Sequence, residues 1–128
     1  MTIHGIGTDI IEIDRFLHKG ALLSKRFMER CFTENERGYL SGKGIESTAG
    51  LFAAKDAVVK AMGTGFCGFW PSAVEIKHNA SGKPCVVLHG KAADAANEKG
   101  ILHIEVSISH CRMLALATAV AMRGVTPA

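Results

Sequence analysis

The 128-residue sequence predicts one α+β domain spanning residues 1–128, with mixed helices packed on a largely antiparallel sheet. Three features carry that expectation. Apolar, β-branched runs open the chain and return in its second half, a long helical pattern fills the middle, and the later strands follow one another through short polar turns. Strands joined so tightly favour antiparallel pairing over a doubly wound parallel sheet.

In chain order, "IHGIGTDIIEI" reads as a buried strand over Ile3 to Ile10, where Gly5 and Gly7 let another element approach closely. A polar helical region follows from about Asp14 to Arg30, and Thr33 with Glu36 makes a capping box for a further short helix. The flexible-looking "SGKGIESTAG" leads into a helix of about Ile45 to Met62, which Gly63 can end in a left-handed conformation. "SAVEIKHN" and "KPCVVLHG" are short strands around a "NASGK" turn, with Gly82 suited to a hairpin. "KAADAANEKG" is an Ala-rich helix closed by Gly100, and "LHIEVSISH" and "MLALATAVAM" are the last two strands.

Composition narrows the function classes. Hydrophobic residues make up 48% of the chain, enough for a real core, and the net charge of +3 is mildly basic without a dense basic run. Trp and Tyr occur once each, so stacking platforms for nucleic acid are scarce and no nucleic-acid partner is expected. Cys31, Cys67, Cys85 and Cys111 are scattered with no C-x-x-C pair, the pattern of reduced thiols rather than a zinc or redox site. The N-terminus lacks a signal pattern and the longest apolar stretch, Met113 to Met122, is far below the ~20 residues of a membrane span, so a soluble cytoplasmic protein is expected.

Three segments concentrate polar groups. In "GIGTD", Asp9 ends an apolar strand and reads either as a turn aspartate or as a ligand for a hard cation such as Mg²⁺. In "LFAAKDAVVKAMGTG", Leu51, Ala54, Val58, Ala61 and Met62 share an apolar helical face, Asp56 and Lys60 lie opposite, and Lys55 intrudes at the apolar edge. Asp56 and Lys60, at i and i+4, are also a plain exposed ion pair. In "SISHC", Ser109 and His110 end a strand with no Asp nearby for a hydrolase triad. Taken together, two carboxylates, a lysine, a Gly-Thr-Gly turn and a Ser/His pair make a coherent phosphate site.

"GIGTDIIEIDRF", "FAAKDAVVKAMGTG" and "SISH", in this order and with the "GKP" turn at Gly82 to Pro84, resemble the holo-acyl-carrier-protein synthases, the small phosphopantetheinyl transferases, over almost the whole chain. The resemblance implies the 4'-phosphopantetheinyl transferase fold and a Mg²⁺-dependent transfer of 4'-phosphopantetheine from coenzyme A to a serine of an apo acyl carrier protein, releasing adenosine 3',5'-bisphosphate. On it Asp9 and Asp56 match the metal carboxylates, and Lys60 offsets phosphate charge. Lys55, Gly63, Thr64 and Gly65 fall in the coenzyme set, with Ser109 and His110 by the adenosine 3'-phosphate. Asp56, Glu36 or a metal-bound water would accept the serine proton. Arg15, Lys19, Lys25, Arg26 and Arg30 would face the acidic carrier, of fatty-acid or polyketide type. A homotrimer with active sites between subunits is also implied.

Two positions depart from the family pattern. Asp56 stands where relatives commonly have Glu, and Leu51 where many carry Arg before Phe52. These departures keep open a non-catalytic carrier-binding or scaffold module of the same fold. A general nucleotide-binding domain is disfavoured by the lack of a Walker-type loop.

Overall fold

A computed structural model describes residues 1–18 and 24–124. The elements are β1 (Thr2–Glu12), α1 (Ile13–His18), α2 (Lys25–Cys31), α3 (Glu34–Leu40), α4 (Ile45–Met62), a 3₁₀ turn (Pro71–Ala73), β2 (Val74–His78), β3 (Pro84–Leu88), α5 (Gly90–Glu98), β4 (Ile101–His110) and β5 (Leu114–Arg123). The α+β architecture holds, with the antiparallel pairing divided between a three-stranded sheet of order β1-β5-β4 and the separate hairpin β2-β3. Among the described residues, the polar stretch after β1 holds α1 and α2, and Ser24 caps α2 by accepting from the Phe27 amide.

Local chemistry accounts for the boundaries. Thr33 and Glu36 form the reciprocal capping box of α3. Gly63 ends α4 at φ 81°, a left-handed conformation that costs a residue without Cβ little. In the β2–β3 turn, the Asn79 side-chain oxygen accepts from the Ser81 and Lys83 amides while Gly82 sits at φ 86°.

Helix α4 is the axis of the molecule and is buried around most of its circumference, including Ala53, Ala54, Ala57, Val58, Val59 and Ala61. One side meets the three-stranded sheet through small residues: Ala117, Ala119 and Ala121 of β5 are in its core cluster. On β1 the glycines do what their spacing suggested, and the approaching element is α4. A Cβ at Gly7 would lie 2.7 Å from the Ala61 amide nitrogen and 2.9 Å from Lys60 Cβ, and one at Gly5 would meet the Ala61 carbonyl. The opposite side of α4 is covered by β2, the 3₁₀ turn and α3, which is why it has no wide polar face. Phe52, Asp56 and Lys60 are among its few partly open positions in this middle stretch.

The sheet face turned away from α4 is apolar yet uncovered: Ile6, Ile10, Leu114 and Leu116 are exposed there. No helix among the described residues is long and apolar enough to cross a membrane.

Candidate active site

Close packing of β1 on α4 brings Asp9 beside Asp56, with Lys60 between them. Lys60 Nζ donates to the Thr8 carbonyl at 3.0 Å and lies 3.1 Å from Asp56 Oδ2 and 3.5 Å from Asp9 Oδ1. The i,i+4 pair is therefore two members of a three-membered cluster. Burial, then the hydrogen bond and charge of Asp56, push the Asp9 carboxyl up to about 6, against the opposing pull of Lys60. The bond to Asp56 is the main cause that raises the Lys60 ammonium above its ordinary value. Both carboxylates line a cavity of about 470 Å³ with Ile10, Ile11, Glu12, Arg15, Phe16, Phe52 and Leu114.

Lys55 does not join this cluster. It points to the other side of α4, fully buried, and donates to Glu36 Oε1 at 2.8 Å, to the Pro71 carbonyl at 3.2 Å and to the Val74 carbonyl. Burial pulls its ammonium below the ordinary lysine value, and Glu36 offsets part of that. All three ammonium protons are used, so the expected coenzyme contact is corrected to a structural ion pair. Glu36 is corrected with it: its carboxylate also accepts from the Thr33 and Ile76 amides and cannot reach a substrate serine.

The Gly-Thr-Gly turn lies at the surface but its amides face the helix end. The amides of Gly63, Thr64 and Gly65 donate to the Val59 carbonyl at 3.1, 3.1 and 3.3 Å, so they are committed to closing α4 rather than cradling a phosphate. Ser109 and His110 stand exposed at the end of β4. His110 lines a smaller cavity, about 170 Å³, with Tyr39, Gly50, Leu51, His78, Gly82 and Pro84. This cavity shares no lining residue with the acidic one.

The basic residues divide likewise. Arg15 lines the acidic cavity, whereas Arg26 and Arg30 border a third, aromatic cavity of about 510 Å³ that shares Phe52 with it. Lys25 is exposed and 3.9 Å from Glu29, and Lys19 lies outside the described residues. Glu12 in the acidic cavity and Trp70 beneath Arg30, 4.5 Å from the ring centroid, were not singled out from the sequence. Glu12 has a weak local signal, a second acid three residues on at the end of the same strand, but Trp70 has none.

The pattern of the 4'-phosphopantetheinyl transferase superfamily matches residues 5–119. The chain belongs to this superfamily. It is 47% identical over 123 residues to the holo-[acyl-carrier-protein] synthase of Caldanaerobacter subterraneus subsp. tengcongensis, covering 93% of this chain and 94% of that one. Against the same enzyme of Thermoanaerobacter sp. it is 40% identical over 121 residues, covering 93% and 87%. The holo-[acyl-carrier-protein] synthase structure from Neisseria meningitidis superposes with a TM-score of 0.86 at 33% identity, covering 95% of this chain and all of that one. The Bacillus anthracis enzyme, solved with CoA (3',5'-ADP), gives 0.77 at 35% identity over 97% and 100%. Within the superfamily, the chain is a holo-acyl-carrier-protein synthase enzyme.

Proposed function

We propose that the protein moves the 4'-phosphopantetheine group of coenzyme A to a serine of an apo acyl carrier protein, with Mg²⁺, releasing adenosine 3',5'-bisphosphate. The observation that carries this reading is the meeting of Asp9 and Asp56 over one shared ammonium in an open cavity. Two carboxylates with a single cation are short of positive charge, and burial together with the neighbouring Asp56 lets Asp9 hold its proton up to about 6. Among the described residues no group of three or more His, Cys, Asp or Glu gathers. Mg²⁺ ordinarily takes one or two protein carboxylates and fills the rest of its shell with water and phosphate oxygens. The donor set fits it, with Asp9 and Asp56 as the holding residues.

When bound, Mg²⁺ supplies charge neutralisation and polarisation at a diphosphate. The chain's own groups do the remaining work by position and charge, as phosphoryl transfer demands. Lys60 stays protonated beside the acid pair and shares its charge with phosphate oxygens entering the cavity. Arg15, on the same cavity, would meet the acidic carrier as it presents its serine, with Lys25, Arg26 and Arg30 extending the basic surface. His110, in its separate cavity with Gly82 and Pro84, suits the 3'-phosphate end of the nucleotide, with Ser109 next to it.

A site divided between two cavities suits an assembly in which copies complete each other. We read the assembly as a homotrimer, supported by the family resemblance and by the uncovered face of Ile6, Ile10, Leu114 and Leu116. Three exposed free cysteines, Cys67, Cys85 and Cys111, support a reducing, cytoplasmic setting. The non-catalytic alternative loses its main support, because the shorter Asp56 side chain still reaches Lys60 and Asp9.

Incubating an apo acyl carrier protein with the enzyme, coenzyme A and Mg²⁺ tests this reading by intact mass. The expected result is a gain of one phosphopantetheinyl group, abolished by a chelator. An unchanged carrier mass with several carriers of both types would overturn it.

A further inference from the structure

The buried half of the "AAKDAVVK" motif has no part in the chemistry proposed above, yet it is the most completely bonded polar cluster in the core. Lys55 and Glu36 are 0% and 1% exposed. Lys55 ties α4 to α3 through Glu36, to the 3₁₀ turn through Pro71 and to β2 through Val74. Glu36 is itself fixed by the Thr33 and Ile76 amides. Thr33 then passes the chain of bonds to Glu75 at 2.7 Å, and Glu75 to His89 at 2.9 Å.

A buried ion pair is weak evidence for stability, since desolvation can cancel the attraction. Its directionality is another matter. On its sheet side α4 meets glycines of β1 and alanines of β5, and small residues make a smooth seam that resists rotation of a helix poorly. Beside the contacts of Asp9 with Asp56 and Lys60 themselves, the directional bonds on that side, Lys60 to the Thr8 carbonyl and His4 Nε2 to the Met62 carbonyl, sit in the last turns, and Lys60 is half exposed. Asp56 follows Lys55 directly, so the rotation of α4 that satisfies Lys55 is also the one that turns Asp56 toward Asp9.

We infer that Lys55, through its ion pair with Glu36, is a positioning residue that fixes the rotation of α4 and thereby the approach of the Asp56 carboxylate to Asp9. This rests on the reading of Asp9 and Asp56 as the metal pair. Neither Lys55 nor Glu36 touches substrate in it.

The test is the neutral double variant Glu36→Gln/Lys55→Met, which leaves no uncompensated buried charge, compared with the parent by Mn²⁺ titration under calorimetry and by steady-state kinetics. Folding is checked by circular dichroism. The expected result is a folded protein whose Mn²⁺ affinity is about tenfold weaker, the scale of lost outer support to a metal ligand. Its kcat falls while the KM for carrier stays put. A folded double variant with parental Mn²⁺ affinity overturns the inference, while a parent that binds no Mn²⁺ overturns the metal reading instead. Should the double variant fail to fold, the parent carries the test, because coupling between the metal pair and the buried pair is reciprocal. Saturating Mg²⁺ must then slow hydrogen exchange of the Ile76 amide, held by Glu36, more than that of the Ala96 amide in α5. Equal slowing overturns the inference.

Discussion

Helix α4 carries two lysines five residues apart that live in opposite circumstances. Lys55 is dry, faces one carboxylate and fills its other donor positions with backbone carbonyls. Lys60 is half exposed and divides itself between two carboxylates and one carbonyl. The Lys55–Glu36 pair is neutral and closed. The Lys60 cluster is short of one positive charge and open to a cavity. A cluster built to hold a structure balances its charges internally, while one built to receive a ligand leaves part of the balance for that ligand to supply.

Breaking each cluster in turn gives the largest expected contrast. Lys55→Met strands the Glu36 carboxylate in the core and is expected to cost about 3–5 kcal/mol of stability, read by urea unfolding. Lys60→Met should cost under about 1 kcal/mol, the range for a partly exposed pair. Similar losses for both would erase the distinction between the clusters.

On the open cluster, Asp56→Asn should keep the fold while turnover falls by more than about a hundredfold, beyond what outer partners of a metal ligand cost. Raising Mg²⁺ should recover only part of it. Asp56→Glu keeps the charge and restores the commoner family residue, so activity should stay near the parent or rise. Unchanged turnover in Asp56→Asn would remove this carboxylate from the mechanism.

The raised carboxyl of the half-buried Asp9 also predicts a pH signature. Folded Asp9 keeps its proton up to about 6 and the unfolded chain releases it near 3.8. The metal-free protein therefore binds more protons folded than unfolded between those values, and this contribution to stability, full below 3.8, is lost as pH rises through about 6. Mg²⁺ should then raise the melting temperature at about pH 7.5 and have little effect at about pH 5, where protons compete for Asp9. Thermal melts with and without Mg²⁺ at both values check this.

Smaller effects are expected away from the acid pair. His110→Ala should weaken coenzyme A by about tenfold, the order of one charge-assisted hydrogen bond, and 3'-dephospho-coenzyme A much less, with equal losses counting against a 3'-phosphate contact. Reversing Arg15 and Arg26 to Glu should raise the KM for the carrier a few-fold and flatten its salt dependence, because exposed charges act over a screening length of about 8–10 Å. Coenzyme A kinetics should hardly move.

Much of the fold was legible because its signals are local. The span of α4, the Thr33–Glu36 capping box, the Gly63 stop and the Gly82 turn each rest on neighbours within a few residues. The division into two sheets was not, since the β2–β3 and β4–β5 hairpins read alike and only the strand pairing itself separates them. In the site, the union of Asp9 with Asp56 followed from family resemblance and from no spacing rule. Lys55 was misread because its partner Glu36 belongs to another helix, and a wheel drawn for α4 alone cannot show that a carboxylate waits on its apolar edge. The commitment of the Gly-Thr-Gly amides was hidden, because composition reveals their freedom and not that Val59 already claims them.

The glycines of β1 have a bearing on tolerance to sequence change. With Gly7 against the backbone of Ala57 and Ala61, the thickness of the strand–helix seam acts as a caliper on the two carboxylates above it. On the proposed metal reading, Mg²⁺ accepts oxygen ligands only near about 2.0–2.1 Å, so a single methyl at Gly7 that wedges the layers apart would change the gap between the two carboxylates. Positions with no side chain at all thereby set the spacing of the acids above them, and a substitution there disturbs the strand–helix packing and the acid pair together.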